Sequence, residues 1–260
     1  MKSWQQFEQD CLKYLQKTYG NKDVRFEADG GSDSGAPDIR VYINNVNKFN
    51  IEVKDSKAQS GQFVVLIEND HFVFSAKNKS NEEDALPFLE YMNANFESYK
   101  SVSTSGIDLE MDKNEFNSWI VKHYLDKNET FVITRGIKGY IIFPTEKYAS
   151  YFDTSSNYRI KDSGSTNPPK KYLDSLKNYF SPDTLEYRGK YLVLKTNKQY
   201  KNKERHMVDN QIFLISENVE GGYKITKKGK TKNPNVIFTI KLKQQQVDTD
   251  LFSFEEALKE

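Results

Sequence analysis

The eight residues "KFNIEVKD", 48–55, restrict the fold more than any other stretch of this chain. In an extended strand, residues two apart share a face, so Ile51 and Val53 line one side while Glu52 and Lys54 line the other. The apolar side needs a packed layer to cover it. The other side carries a carboxylate and an ammonium, which are costly in an otherwise buried strand unless something uses them. The chain must build a sheet with one packed face and a polar centre on the other.

The preceding run, "DIRVYINN", reads as a second strand, turning at Asn44 and Asn45. If the two pair antiparallel through that turn, Asp38 at the start of one lies beside Glu52 and Lys54 at the end of the other. Two carboxylates and an ammonium at one sheet edge suit phosphodiester hydrolysis. Asp38 and Glu52 are oxygen ligands of the kind a hard cation such as Mg²⁺ takes, with the carbonyl of Val53 as a third. A cation held there polarises a phosphate and acidifies a bound water. Lys54, placed between carboxylates and phosphate, stays protonated and acts electrostatically rather than as a general base.

The surroundings fit that centre. Apolar residues Trp4, Phe7, Cys11, Leu12 and Leu15 recur at helical spacing over residues 3–18, and Gly20 ends the pattern. Residues 23–28 alternate as a strand. "DGGSDSGAPD" is a loop that lets backbone approach a ligand, with Asp33 expected in a turn role. It is not a Walker loop, because no Gly-Lys-Ser/Thr follows. Further on, "GQFVVLIENDHFVFSA" reads as a strand or buried helical turn and then a strand, broken at Asn69 and Asp70. Helix patterns cover residues 84–99, with Pro87 in the first turn, and residues 113–124. "TFVITRG" and "GYIIFPT" read as a hairpin.

Pro37-Asp38 followed by Glu52-Val53-Lys54, behind an N-terminal helix, resembles the PD-(D/E)XK nuclease superfamily, in particular its type II restriction endonucleases. The resemblance covers residues 1–76. It implies an α/β (α+β) fold: a restriction-endonuclease-like core with a central mixed β-sheet flanked by helices. It also implies a Mg²⁺-dependent DNA phosphodiesterase, often dimeric. A helix carboxylate that supports the metal site is matched by Glu8. A glutamine after the lysine is matched by Gln62, with Gln59 the weaker choice.

The 260 residues allow one large domain or two small ones. Composition shifts toward Ser, Thr, Asn, Gly and Pro at residues 154–169, which places the boundary after residue 153: a catalytic core over 1–153 and a basic, β-rich DNA-recognition region over 154–260. Charge divides the same way. Residues 1–150 hold 18 Lys and Arg against 23 Asp and Glu, and residues 151–260 hold 20 against 14. A basic half beside an acidic one suits a nucleic-acid enzyme. Within the basic half, lysines interleave with Tyr and Phe in strand patterns. Lys190, Lys227, Lys228, Lys230 and Lys232 are the candidate phosphate contacts. A helix is expected at "KKYLDSLKNYF", and a short one from Ser253 with Glu256 as its capping box.

Other chemistry is poorly supported. His71, His123 and His206 lack ligand spacing, so structural or surface roles are expected. Cys11, the single cysteine, is expected to be a buried hydrophobe and excludes an internal disulfide. No apolar run approaches a membrane span, and no secretory signal is visible in "MKSWQQFEQD". The sequence therefore points to a cytoplasmic prokaryotic protein that cuts double-stranded DNA at specific sites, as a homodimer without membrane attachment. A junction resolvase or repair nickase is the alternative. So is a non-catalytic DNA-binding protein, though the intact Asp38, Glu52 and Lys54 argue against it.

Overall fold

A computed structural model describes residues 3–29, 36–162, 164–189, 191–217, 222–229 and 232–259. The chain divides into two compact units. One holds residues 1–160 and 234–260, the other residues 161–233.

The first unit opens with α1 (Ser3–Tyr19), β1 (Val24–Ala28), β2 (Ile39–Ile43) and β3 (Val46–Val53). Asn44 and Asn45 both adopt positive φ, 51° and 66°, the conformation of a two-residue hairpin turn whose twist matches the strands it joins. The antiparallel register pairs Ile39 with Ile51 and Ile43 with Val46. β4 (Lys57–Glu68) and β5 (His71–Phe74) form a second hairpin, closed by Asn69 and Asp70, again both at positive φ. The ambiguous first part of that run is thus a strand.

Next come α2 (Glu82–Ala94), α3 (Phe96–Tyr99), β6 (Ile107–Asp108) and α4 (Lys113–Leu125). The helix expected over 84–99 is split, and it begins two residues earlier. Pro87 therefore falls inside α2 rather than in its first turn. At that position it cannot donate the hydrogen bond to the carbonyl four residues back. α4 is capped by Asp112, whose Oδ1 accepts the N–H of Asn114 at 2.9 Å. β7 (Glu129–Gly136) and β8 (Gly139–Pro144) make the expected hairpin.

The central sheet runs β1-β2-β3-β7-β8. It is mixed, since β3 and β7 pair in parallel and the other pairs are antiparallel. Cys11 and Leu15 of α1 cover one face, packing against Ile51, Val53, Phe131 and Ile133. A second, aromatic-rich core gathers Trp119, Tyr124, Phe143 and Tyr148 with Val132. Ile51 and Val53 thus face the packed layer, as their alternation requires.

α5 (Tyr148–Tyr151) leads into β9 (Phe152–Asp162), where a loop and domain boundary were expected. Phe152, Thr154, Ser156 and Tyr158 are buried in strict alternation. The small polar side chains hid a strand that the two aromatic ends reveal. The division falls within β9 instead of after residue 153.

The second unit contains β10 (Ser165–Thr166), α6 (Leu173–Phe180), β11 (Thr184–Arg188), β12 (Tyr191–Lys195), β13 (Glu204–Val208), β14 (Gln211–Glu217) and β15 (Tyr223–Lys228). Its sheet runs β11-β12-β15-β14-β13, with β10 on β15. Leu176 and Phe180 of α6 pack on Leu192, Leu194, Phe213, Ile215 and Ile225.

The chain then returns to the first unit. β16 (Lys232–Leu242) pairs antiparallel with β4, Asn235 opposite Val64, in a sheet ordered β5-β4-β16-β9-β6. The last element, α7 (Asp248–Ala257), starts five residues before the expected Ser253. Ser253 sits inside this helix with its hydroxyl donating to the Thr249 carbonyl at 2.9 Å, so it caps nothing. Phe254 of α7 is buried beside Phe49 and Phe131.

Candidate active site

Pairing of β2 with β3 carries Asp38, the residue before β2, to the end of β3. Asp38 Oδ2 accepts the backbone N–H of Val53 at 2.9 Å. Lys54 leaves the strand with its own N–H donating to the Ile133 carbonyl of β7 at 3.0 Å, which fixes its backbone. Glu8 on α1 faces the same place. An open cavity is lined by Trp4, Glu8, Asp38, Val53, Lys54 and Gln59, among others. Five of the sequence candidates, Glu8, Asp38, Val53, Lys54 and Gln59, thus meet at one edge of the central sheet.

Glu52 lies deeper. It is 3% exposed, and its Oε1 contacts the ammonium of Lys54. The other oxygen, Oε2, is 3.3 Å from the ammonium of Lys127. Lys127 in turn lies 2.7 Å from Glu129 Oε2, and Glu129 is fully buried. The ring of Tyr124 underlies both ammoniums, at 5.5 Å from Lys54 and 5.1 Å from Lys127. Tyr124 is itself anchored, its hydroxyl 2.6 Å from the Ser60 hydroxyl, which also contacts the hydroxyl of Tyr148. None of Lys127, Glu129, Tyr124 or Ser60 stood out in the sequence. A Glu opening the apolar run "ETFVITRG" was the one available signal.

Gln62 is outside this group and Gln59 is inside it. β4 bulges at Ser60, because Phe238 pairs with Gly61 and the next residue, Thr239, with Gln59. The extra residue resets the alternation, so Gln59 and Gln62 are both exposed and Gln59 Nε2 donates to Gln62 Oε1 at 2.9 Å. Gln59 is nearer the end of β3, and it lines the cavity.

Burial and the neighbouring Glu52 charge push Asp38 up to about 7, against the opposing pull of Lys54 and the Val53 N–H. Glu8 is also raised, by burial first and then by Glu52. Burial opposes ionisation of Glu52, but Lys54 and Lys127 outweigh it and hold the carboxylate below its usual range. Burial likewise opposes the charge on Lys54, and Glu52 and Asp38 overcome it, so its pKa is raised. Lys54 is an ammonium at neutral pH. Held as an ammonium, it has no lone pair with which to take up a proton.

Among the described residues, no three His, Cys, Asp or Glu side chains gather as a metal site. Oxygen donors of the type a hard cation takes are fewer: the carboxylate of Asp38 and the carbonyl of Val53 at the cavity, and the carboxylate of Glu52, whose two oxygens each lie against an ammonium. All are oxygen, and a small cation that keeps several waters needs no more than this from a protein.

The remaining candidates lie elsewhere or are not described. Lys227 and Lys228 close β15, half-buried, with the Lys227 ammonium 5.4 Å from the ring of Tyr172. Lys232 is exposed at the start of β16. Lys190, Lys230 and Asp33 fall outside the described residues. His123 stacks on Trp119 with ring centroids 4.9 Å apart, and burial, then Lys127, lowers its pKa to about 4. His71 is exposed, and His206 packs among Tyr179, Phe180 and Tyr200. Cys11 is buried. Among the described residues no helix is long and apolar enough to cross a membrane.

No family model and no curated protein matches the chain. A solved structure does match, that of HhaI endonuclease in complex with DNA. The two superpose with a TM-score of 0.86 at 35% sequence identity, over 99% of this chain and 100% of that one.

Proposed function

The chain belongs to the family of HhaI endonuclease, and from that premise we propose that it is a type II restriction enzyme of the PD-(D/E)XK superfamily, hydrolysing DNA phosphodiester bonds with Mg²⁺. The observation that carries this reading is the cavity where Asp38, anchored on the Val53 N–H, meets Lys54 and Glu8. The coverage extends through the whole chain, so the relative's DNA complex supports DNA as the substrate here too.

Asp38, Glu52 and the Val53 carbonyl would hold the cation. When bound, Mg²⁺ polarises the scissile phosphate and makes a coordinated water a better nucleophile. The protein's own groups supply the rest. Lys54 offsets charge that builds on the phosphate oxygens as the bond breaks. Glu8 sits across the cavity on α1, where it can accept a hydrogen bond from water at the site. Gln59 borders the same cavity as a neutral donor and acceptor. The lysines of the second unit and of β16, Lys227, Lys228 and Lys232 with Lys190 and Lys230, would bind phosphates without reading sequence. Cutting both strands of a duplex favours a homodimer, and a restriction role places the protein in a prokaryotic cytoplasm.

The test is direct. The purified protein is incubated with unmethylated plasmid or phage DNA and Mg²⁺, and the product ends are sequenced. Discrete fragments with a common end sequence support the reading. Cutting confined to branched junctions would replace it with a structure-selective nuclease. No cleavage with Mg²⁺ or Mn²⁺ would refute it.

A further inference from the structure

Lys127 belongs to no motif and lies 75 residues from Glu52 in sequence. The turn that carries it, between α4 and β7, is tied down on β3. Asn50 Nδ2 donates to the Lys127 carbonyl at 2.7 Å, the Asn50 N–H donates to the Asn128 carbonyl at 2.8 Å, and the Lys127 N–H donates to the Tyr124 carbonyl at 3.0 Å. The side chain is 13% exposed, and its ammonium sits between Glu52 Oε2 and Glu129 Oε2. Glu52 therefore has one lysine on each oxygen, Lys54 on Oε1 and Lys127 on Oε2, and both ammoniums lie over the one ring of Tyr124.

This arrangement resolves a conflict. In the proposed reaction Lys54 faces a DNA phosphate, yet it is also the partner of a buried carboxylate. A buried charge whose partner is removed is strongly destabilising. If Lys54 alone neutralised Glu52, every approach to the phosphate would strand that carboxylate. Lys127 borders the aromatic core instead of the cavity, its ammonium over the Tyr124 ring and 2.7 Å from Glu129 Oε2.

We propose that Lys127 is the standing counter-ion of Glu52, a positioning residue that keeps this carboxylate charged and oriented while Lys54 turns to the phosphate. The inference rests on the nuclease reading for Lys54's second role, but its core is a statement about one buried carboxylate and two lysines, which is testable without DNA or metal.

The experiment is a double-mutant cycle on stability. Urea midpoints are measured for Lys54→Met, Lys127→Met and the double variant, and again with Glu52→Gln in each. Methionine keeps the unbranched stem and removes the charge. Loss of the Lys127–Glu129 contact is common to both Lys127→Met proteins and cancels in the cycle. Each single variant leaves Glu52 one lysine and shifts the midpoint moderately. The double variant should lose at least half as much again as the two single losses together, and Glu52→Gln should abolish that excess. Additive losses would overturn the assignment. If the double variant does not fold, the triple variant with Glu52→Gln decides: a folded triple supports the proposal, and an unfolded one overturns it. In cleavage assays Lys127→Met should lower kcat ten- to a hundred-fold with KM for DNA within twofold, whereas an unchanged kcat would remove the positioning role. A wild-type protein that cuts no DNA would sink the nuclease reading by itself, and the stability cycle would still report on Lys127.

Discussion

The carboxylate of Asp38 is anchored on the backbone of the neighbouring strand, its Oδ2 accepting the Val53 N–H at 2.9 Å. That bond holds in place a group whose charge the fold disfavours, since burial and Glu52 raise its pKa to about 7. An unfolded Asp titrates near 4, so the folded state binds this proton more tightly. The group's contribution to stability is greatest below pH 4 and declines as pH rises through 7. Asp38→Asn keeps an acceptor for the Val53 N–H and removes the charge. It should stabilise the metal-free protein at pH 8 by about 4 kcal/mol at most, with a smaller gain at pH 5, while eliminating cleavage. Urea denaturation at the two pH values checks this. A loss of stability at pH 8 would contradict it.

The same proton competes with metal. Asp38 must ionise before it can ligate a cation, so Mg²⁺ affinity in the absence of DNA should rise about tenfold per pH unit up to about pH 7 and then level off. Calorimetric titration at pH 6, 7 and 8 gives the answer. A flat profile would mean that Asp38 is not a ligand.

Gly61 tests the packing behind the site. A Cβ at this position would stand 2.5 Å from Cζ3 of Trp119. That ring is 1% exposed and is flanked by His123 at 4.9 Å and Phe238 at 4.6 Å, so it cannot move aside. Gly61→Ala should destabilise the protein by about 1–3 kcal/mol, the usual result of overfilling a packed core. An unchanged thermal midpoint would show that β4 yields more easily than its neighbours suggest.

The hairpins and the Asp38–Lys54 edge were legible in the sequence because their determinants are local. Asn44-Asn45 and Asn69-Asp70 close two of the turns, and a two-residue alternation sorts Ile51 and Val53 from Glu52. Features that depend on distant segments were not. β16 finds β4 across more than 170 residues, Asn235 pairing with Val64 and Lys241 with Lys57, so residues 234–260 join the first unit although they follow the basic stretch in sequence. The bulge at Ser60, which exchanges the places expected of Gln59 and Gln62, follows from that pairing. Lys127 did not stand out, because only the fold brings Glu52 and Glu129 to it. In β9, buried Thr154 and Ser156 looked like linker residues.

Phosphate contacts should show themselves through salt. Replacing Lys227, Lys228 and Lys232 together by glutamine should weaken DNA binding across all sequences and flatten the slope of log affinity against log salt by about two to three. The cleavage rate at saturating DNA should stay within about twofold. Fluorescence anisotropy between 50 and 200 mM salt, values spanning the range where such contacts dominate, measures it. An unaltered slope would move the DNA contacts away from these lysines.

The central claim is that Asp38 and Lys54 perform chemistry on DNA instead of merely supporting the fold. The decisive measurement compares cleavage with binding for Asp38→Ala and Lys54→Ala, using Mg²⁺ for cleavage and Ca²⁺ for binding. Both variants should cut at less than about a thousandth of the wild-type rate, a loss equal to about 4 kcal/mol of transition-state stabilisation, and bind the same DNA within about threefold. Either variant cutting within tenfold of wild type would contradict the account.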